Sequence, residues 1–207
     1  MTLLIVVAIV ALVVLWRRVN PAPFPVPLTP LLANPLRRLM LPPDVVARRL
    51  ALEPGMRVLE IGPGSGLFTE ALVRAGGGGV PLVCLDVQPE MLEKVRRRLG
   101  QHAPAMVCAT ASALPFHDAS FERILMVSVL GEVPDRPGAL RECARVLREG
   151  GALAITESLP DPDFIPPAQL VREAERAGLV AGERSGPWPC YTQRLDRAAS
   201  DRTAGSW

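Results

Sequence analysis

The sequence predicts an α/β domain built on a mostly parallel sheet, and three observations carry that prediction. From residue 42 onward, short apolar runs alternate with amphipathic stretches of helical period. The first apolar run, Arg57-Val58-Leu59-Glu60-Ile61, leads into Gly62-Pro63-Gly64-Ser65-Gly66 and then a helical pattern over residues 67–74. A second run over residues 80–86 ends in Asp86, about 20 residues past the glycines, where a strand–helix–strand unit places a ribose-binding acid.

The elements follow in chain order. Residues 3–16 (LLIVVAIVALVVLW) carry no charge. With the two residues before them they give about 24 Å of helix at 1.5 Å per residue, against a hydrocarbon core of about 30 Å. Local thinning and snorkelling can close that gap. A core helix of a soluble domain shows a polar face, and this run has none. A cleaved signal peptide wants a positive n-region, and here the terminal amine is the only positive charge before the run; that reading and an interfacial helix stand as rivals. Arg17 and Arg18 follow the run, so the positive-inside rule puts the rest of the chain in the cytoplasm. The expectation is a single-pass membrane anchor over residues 1–18.

Residues 19–43 read as a proline-rich, basic juxtamembrane linker. Residues 21–30 (PAPFPVPLTP) are expected to be an extended, semi-rigid spacer, because proline fixes φ and restricts its predecessor. Residues 31–41 are apolar apart from Arg37 and Arg38. Over residues 1–50, Arg17, Arg18, Arg37, Arg38, Arg48 and Arg49 stand against Asp44 alone. Contact with anionic lipid headgroups is expected, worth about 1 kcal/mol per base near the surface.

The folded domain is expected over residues 44–197 and a disordered polar tail over 198–207. Asp44 is expected to cap a helix over residues 45–52, ended by the turn at Gly55. Pro89 opens a helix running to residue 99. Residues 166–178 read as an amphipathic helix with proline in its first turn. Residues 179–184 and 190–195 read as two strands joined around Gly186-Pro187-Trp188-Pro189.

Composition removes several function classes. A net charge of +2 and 4% aromatic residues argue against nucleic acid as a partner. Cys84, Cys108, Cys143 and Cys190 have no C-x-x-C spacing. They are expected to be reduced thiols packed as small hydrophobes, with no metal site. A dinucleotide loop needs glycine at position 67, which is Leu67, and no G-K-[ST] tripeptide marks a phosphate loop.

What stands instead is acid-x-G-x-G-x-G: Glu60, Gly62, Gly64 and Gly66. This run resembles motif I of the class I S-adenosylmethionine-dependent methyltransferases. Residues 109–116 (ATASALPF) resemble the family's G-D-A-x-x-L-P-F signature, residues 120–130 its fourth strand, and residues 146–157 its L-x-x-G-G turn and fifth strand. The resemblance covers residues 42–197 and is nearest to the ubiquinone/menaquinone-biosynthesis type. It implies a Rossmann-like sandwich with a mostly parallel seven-stranded sheet and an antiparallel last strand. It implies S-adenosyl-L-methionine as cofactor, bound by Glu60, Gly62, Gly64, Gly66, Asp86, Val87, Thr110, Ala111 and Ser128.

Two positions depart from the family pattern. Thr110 stands where an aspartate commonly accepts a hydrogen bond from the adenine amino group. Gly131 stands where relatives often carry a histidine, while the neighbouring Glu132 is retained. Methyl transfer mainly demands alignment, and a base is needed only when the acceptor must lose a proton. Glu132, Glu157 and Tyr191 are the polar residues expected nearest the reacting atoms. The expected function is a membrane-anchored methyltransferase acting on a lipid-like acceptor. The alternative is a decayed methyltransferase-fold domain serving as a membrane-tethered scaffold, for which Thr110 and Gly131 are the motive.

Overall fold

The computed structural model describes residues 21–26, 35–159 and 161–198. The expected anchor, part of the linker and all but the first residue of the tail lie outside the described residues. Among the described residues no helix is long and apolar enough to cross a membrane.

The elements run α1 (Pro35–Met40), α2 (Pro43–Arg49), β1 (Val58–Ile61), α3 (Leu67–Ala75), β2 (Leu82–Asp86), α4 (Pro89–Leu99), β3 (Ala105–Cys108), β4 (Phe121–Val127), α5 (Arg136–Val146), β5 (Leu147–Ser158), α6 (Pro167–Arg176), β6 (Leu179–Ser185) and β7 (Cys190–Arg197). They build one seven-stranded sheet in the order β3-β2-β1-β4-β5-β7-β6. The pairs β3-β2, β2-β1, β1-β4 and β4-β5 are parallel, whereas β7 runs antiparallel to both β5 and β6. The expected mostly parallel sheet with an antiparallel last strand is therefore the sheet that forms.

Both faces of the central strands are buried, which is why their sequences are nearly continuous apolar runs. The side chains still alternate. Leu59, Ile61, Ile124, Met126, Leu153 and Ile155 face α5 and α6 in one core. Val58, Leu125, Val127 and Ala154 face α2 and α3 in the other. The strand order reverses between β1 and β4, and in open α/β sheets that is where the crevice opens beyond the carboxyl ends.

Three expectations are corrected. Asp44 does not cap a helix: α2 starts at Pro43 with Pro42 as its N-cap, and the Asp44 carboxylate accepts a hydrogen bond from Arg74 at 2.8 Å. Proline already fixes the entry φ and lacks the N–H that a cap would satisfy, so a capping side chain has less to do. The helix also ends earlier than expected, at Arg49, because Ala51 turns to φ 47. Cys108 is exposed, while Cys84, Cys143 and Cys190 are buried. The cause is position, since β3 is an edge strand with no neighbour on its outer side.

Candidate active site

A cleft of about 650 Å³ opens over the carboxyl ends of β1, β2, β4 and β5. Its first half is built by the turn between β1 and α3. Gly62, Gly64 and Gly66 take φ of 70, 55 and 76, which side-chain-bearing residues rarely adopt. At Gly62 space decides as well: a Cβ there would sit 2.4 Å from Cγ2 of Val129. The bare backbone of Gly62 and Gly64 thus forms the cleft wall, and Gly66 is the buried N-cap that starts α3, whose first N–H groups have no intrahelical partner.

Asp86 closes β2 at the cleft, 9% exposed, with Oδ1 accepting the Gln88 N–H at 2.9 Å. Burial raises its carboxyl above the ordinary aspartate range, while the amides of Gln88, Val87 and Gly64 pull the other way. Val87 beside it is 51% exposed and lines the same wall. Thr110 and Ala111 line the cleft just after β3, whose Cys108 pairs with Asp86 in the sheet. The Thr110 hydroxyl lies 3.1 Å from that of Ser112 and accepts the Ser112 N–H at 3.4 Å, so a local turn already occupies it. Ser128 leaves β4 with φ 53. It lines the cleft, yet its buried hydroxyl has no hydrogen-bond partner among the described residues. A serine held in the left-handed region with an orphaned hydroxyl is a strained arrangement, of a kind that clusters at ligand sites.

These groups fit a nucleoside. The Asp86 carboxylate can accept from two vicinal hydroxyls, Ser128 can fill its missing bond, and the glycine backbone admits close approach.

The second half of the cleft lies over β4 and β5. Glu132 stands half-buried in a single-turn 3-10 helix, Leu130–Glu132. Its Oε2 accepts the backbone N–H of Phe24 at 2.8 Å. The Lys94 ammonium donates to the Val26 carbonyl at 3.0 Å. Residues 21–26 are thus a strap across the cleft, and Pro23 and Phe24 are part of its wall. At Gly131 a Cβ would lie 2.0 Å from the Asp163 carbonyl oxygen. The short connection between β5 and α6 fills the space that a histidine side chain would need.

The remaining predicted residues fall elsewhere. Glu157 and Tyr191 are not on the cleft. They sit opposite one another on β5 and β7, each 1% exposed, on the face toward α5 and α6. The Tyr191 hydroxyl donates to the Ile165 carbonyl at 2.5 Å, and a Glu157 oxygen accepts the Ile165 N–H at 3.4 Å. Both pin the β5–α6 connection from below. Burial, then the charge of Asp161, raises the Glu157 carboxyl well above its ordinary range, and burial likewise raises the Tyr191 phenol. Glu60 is also off the cleft, 2% exposed beneath α3. Burial pushes its carboxyl up to about 7, against the pull of the Thr69 hydroxyl and the Cys84 thiol.

The profile of the methyltransferase domain family matches residues 59–155. A demethylmenaquinone methyltransferase of Tropheryma whipplei is 34% identical over 120 residues, covering 58% of this chain and 49% of that protein. The chain spans about half the length of such relatives. A ubiquinone biosynthesis O-methyltransferase of Xylella fastidiosa is 30% identical over 196 residues, covering 79% of this chain and 76% of that protein. The chain belongs to the class I S-adenosylmethionine-dependent methyltransferases. The fold agrees: the crystal structure of an S-adenosylmethionine-dependent methyltransferase from Aquifex aeolicus superposes with a TM-score of 0.75 at 23% identity, covering 83% of this chain and 98% of that one.

Membership makes S-adenosyl-L-methionine the cofactor of this methyltransferase, and the nucleoside-shaped donor set fits it. Asp86, Ser128 and the glycine turn would hold the adenosine portion, with Val87, Thr110 and Ala111 along its edge. The short connection after the fifth strand leaves, on sequence alone, an acceptor site that is open or covered by residues 20–50 or by the membrane. Pro23, Phe24 and Met40 do line the cleft, whereas sequence reasoning does not foresee the Asp161–Asp163 stretch there.

Proposed function

We propose that this methyltransferase moves the cofactor's methyl group to a hydrophobic, quinone-type acceptor drawn from a membrane, to which residues 3–16 tether it. The observation that carries this reading is the character of the cleft over β4 and β5. Phe24, Met40, Val133, Pro134, Leu159 and Pro162 wall it, and Glu132 stands among them. An apolar ring system gains from burial against such walls, at roughly 25 cal/mol per Å² of apolar area. The names of the Tropheryma and Xylella relatives, both of quinone biosynthesis, support the same acceptor class.

Held beside Asp86, S-adenosylmethionine would supply an electrophilic methyl group on its sulfonium, and the neutral thioether that leaves needs no acid. The chain's own residues align and shield. The apolar walls keep water from the reacting centre and hold an acceptor ring in one orientation. Of the carboxylates on the cleft, Glu132 is the one proposed as base, suited to take the proton from an acceptor hydroxyl or enol carbon. Its Phe24 partner ties the strap to that same carboxylate, so acceptor entry and strap position are coupled.

The test is methyl transfer from radiolabelled cofactor by the full chain in vesicles, to a polyprenylated phenol and to soluble catechols and amines. Label in the polyprenylated phenol is expected. Label confined to the soluble acceptors would remove the hydrophobic-acceptor reading. Absence of both transfer and cofactor binding would favour the tethered-scaffold alternative.

A further inference from the structure

The mouth of the cleft carries an apolar rim that the reaction itself does not explain. Leu39 on α1 is 77% exposed, and Trp188 in the β6–β7 turn is 68% exposed. The two elements are joined: the Cys190 thiol donates to the Met40 carbonyl at 3.3 Å, and Met40 lines the cleft. Trp188 also packs edge-on against Phe164 of the β5–α6 connection, ring centroids 6.5 Å apart. Because β7 is antiparallel to β5, with Ser158 opposite Cys190, the β6–β7 turn stands at the carboxyl end of the sheet, where the cleft opens. Arg38 on α1 and Arg184 at the end of β6 are exposed beside these side chains, and the Arg49 guanidinium lies under the turn at Gly186.

We propose that this rim is a bilayer-docking surface, with Leu39 and Trp188 entering the interface of an anionic membrane and the arginines facing its headgroups. The inference rests on the hydrophobic-acceptor reading above and names the surface from which that acceptor enters. Two observations commit the occupant to a bilayer. The arginines complement anionic headgroups, and a tryptophan beside aliphatic side chains suits the interfacial layer. Residues 21–26 also lie across this cleft, and in the sequence they follow the Arg17-Arg18 pair and the uncharged run 3–16. A lipid-dissolved acceptor could then pass from bilayer to cleft without crossing water.

The full chain carrying Trp16→Phe and Trp207→Phe keeps Trp188 as its sole tryptophan. It is reconstituted into phosphatidylcholine vesicles containing about a third phosphatidylglycerol, with acyl chains brominated near the headgroup. Blue-shifted Trp188 emission, quenched at least about twofold by the bromolipid, is expected. Emission that stays unquenched overturns the proposal, whether or not a companion chain retaining only Trp16 is quenched. A second variant, Leu39→Glu with Trp188→Glu, is expected to transfer methyl to a vesicle-embedded acceptor about tenfold more slowly while keeping its rate on a detergent-dispersed one. Equal slowing on both would overturn it. Cofactor binding by the same proteoliposomes reports separately on the methyltransferase reading, so the two can fail independently.

Discussion

Asp86 and Ser128 are the polar side chains proposed to recognise the nucleoside; Asp86 accepts the Gln88 N–H, and the Ser128 hydroxyl has no partner among the described residues. Asp86→Ala removes an acceptor from a buried site, where a hydrogen bond to a charged group contributes about 1.5–3 kcal/mol. Cofactor affinity should fall at least about tenfold by that measure, read by calorimetry with the fold checked by circular dichroism. Gly131→Ala tests the packing at the missing histidine. A Cβ 2.0 Å from the Asp163 carbonyl forces the β5–α6 connection to move, so a loss of about 2 kcal/mol or more in urea unfolding is expected. Glu132→Gln should slow transfer to an acceptor that must lose a proton by at least about tenfold. Glu157→Gln and Tyr191→Phe should leave the rate within about threefold, since neither side chain reaches the cleft. The direction of Glu157 was within reach of strand parity: it shares the odd positions of Leu153 and Ile155, which face the α5–α6 core. What parity does not show is that α6 and the β5–α6 connection close over that face.

The elements owe their places to a few charged ties as well as to the core. Glu122 at the start of β4 accepts from the Arg57 backbone N–H at 2.6 Å and from the Arg57 and Arg148 side chains at 3.2 and 3.0 Å. These bonds overcome its burial and hold its carboxyl down at about 2, against an ordinary 4.5. A depressed folded value means the stabilisation is complete above the unfolded value and is lost as pH falls from about 4.5 toward 2. The arginines are half-exposed, so the contribution is nearer 1–2 kcal/mol, roughly half of what the shift alone would give. Glu122→Gln should remove that amount at neutral pH and flatten the pH dependence of stability across that window, measured by urea unfolding from pH 2.5 to pH 7. The helices and strands themselves were legible because period and punctuation agree: apolar runs give the strands, and Gly62 to Gly66 gives the β1–α3 turn. Where the reading moved, the causes were proline at the start of α2, the turn at Ala51 that ends it, and the exposed edge at β3 that leaves Cys108 open. That residues 20–50 could cover the acceptor site was legible, but the path of the strap was not, since residues 21–26 form no ladder and take their position from tertiary contacts with Glu132 and Lys94.

At the scale of the molecule, the reversal of strand order between β1 and β4 places a nucleoside half and an apolar half side by side in one cleft, and the chain's own N-terminal segment crosses it. Phe24→Ala should therefore raise the acceptor KM several-fold while leaving cofactor affinity within about twofold, a split that steady-state kinetics and calorimetry together would read. The membrane side of the proposal adds an orientation, with the mouth toward the bilayer and the sheet's amino ends away from it. The most direct test of the central claim is calorimetric titration of S-adenosylmethionine into the folded full chain in detergent, alongside Asp86→Ala. Binding that the substitution weakens at least about tenfold is the predicted result. A folded chain that binds no cofactor, or that binds it equally well without Asp86, would contradict the assignment of this cleft as the methyl-donor site.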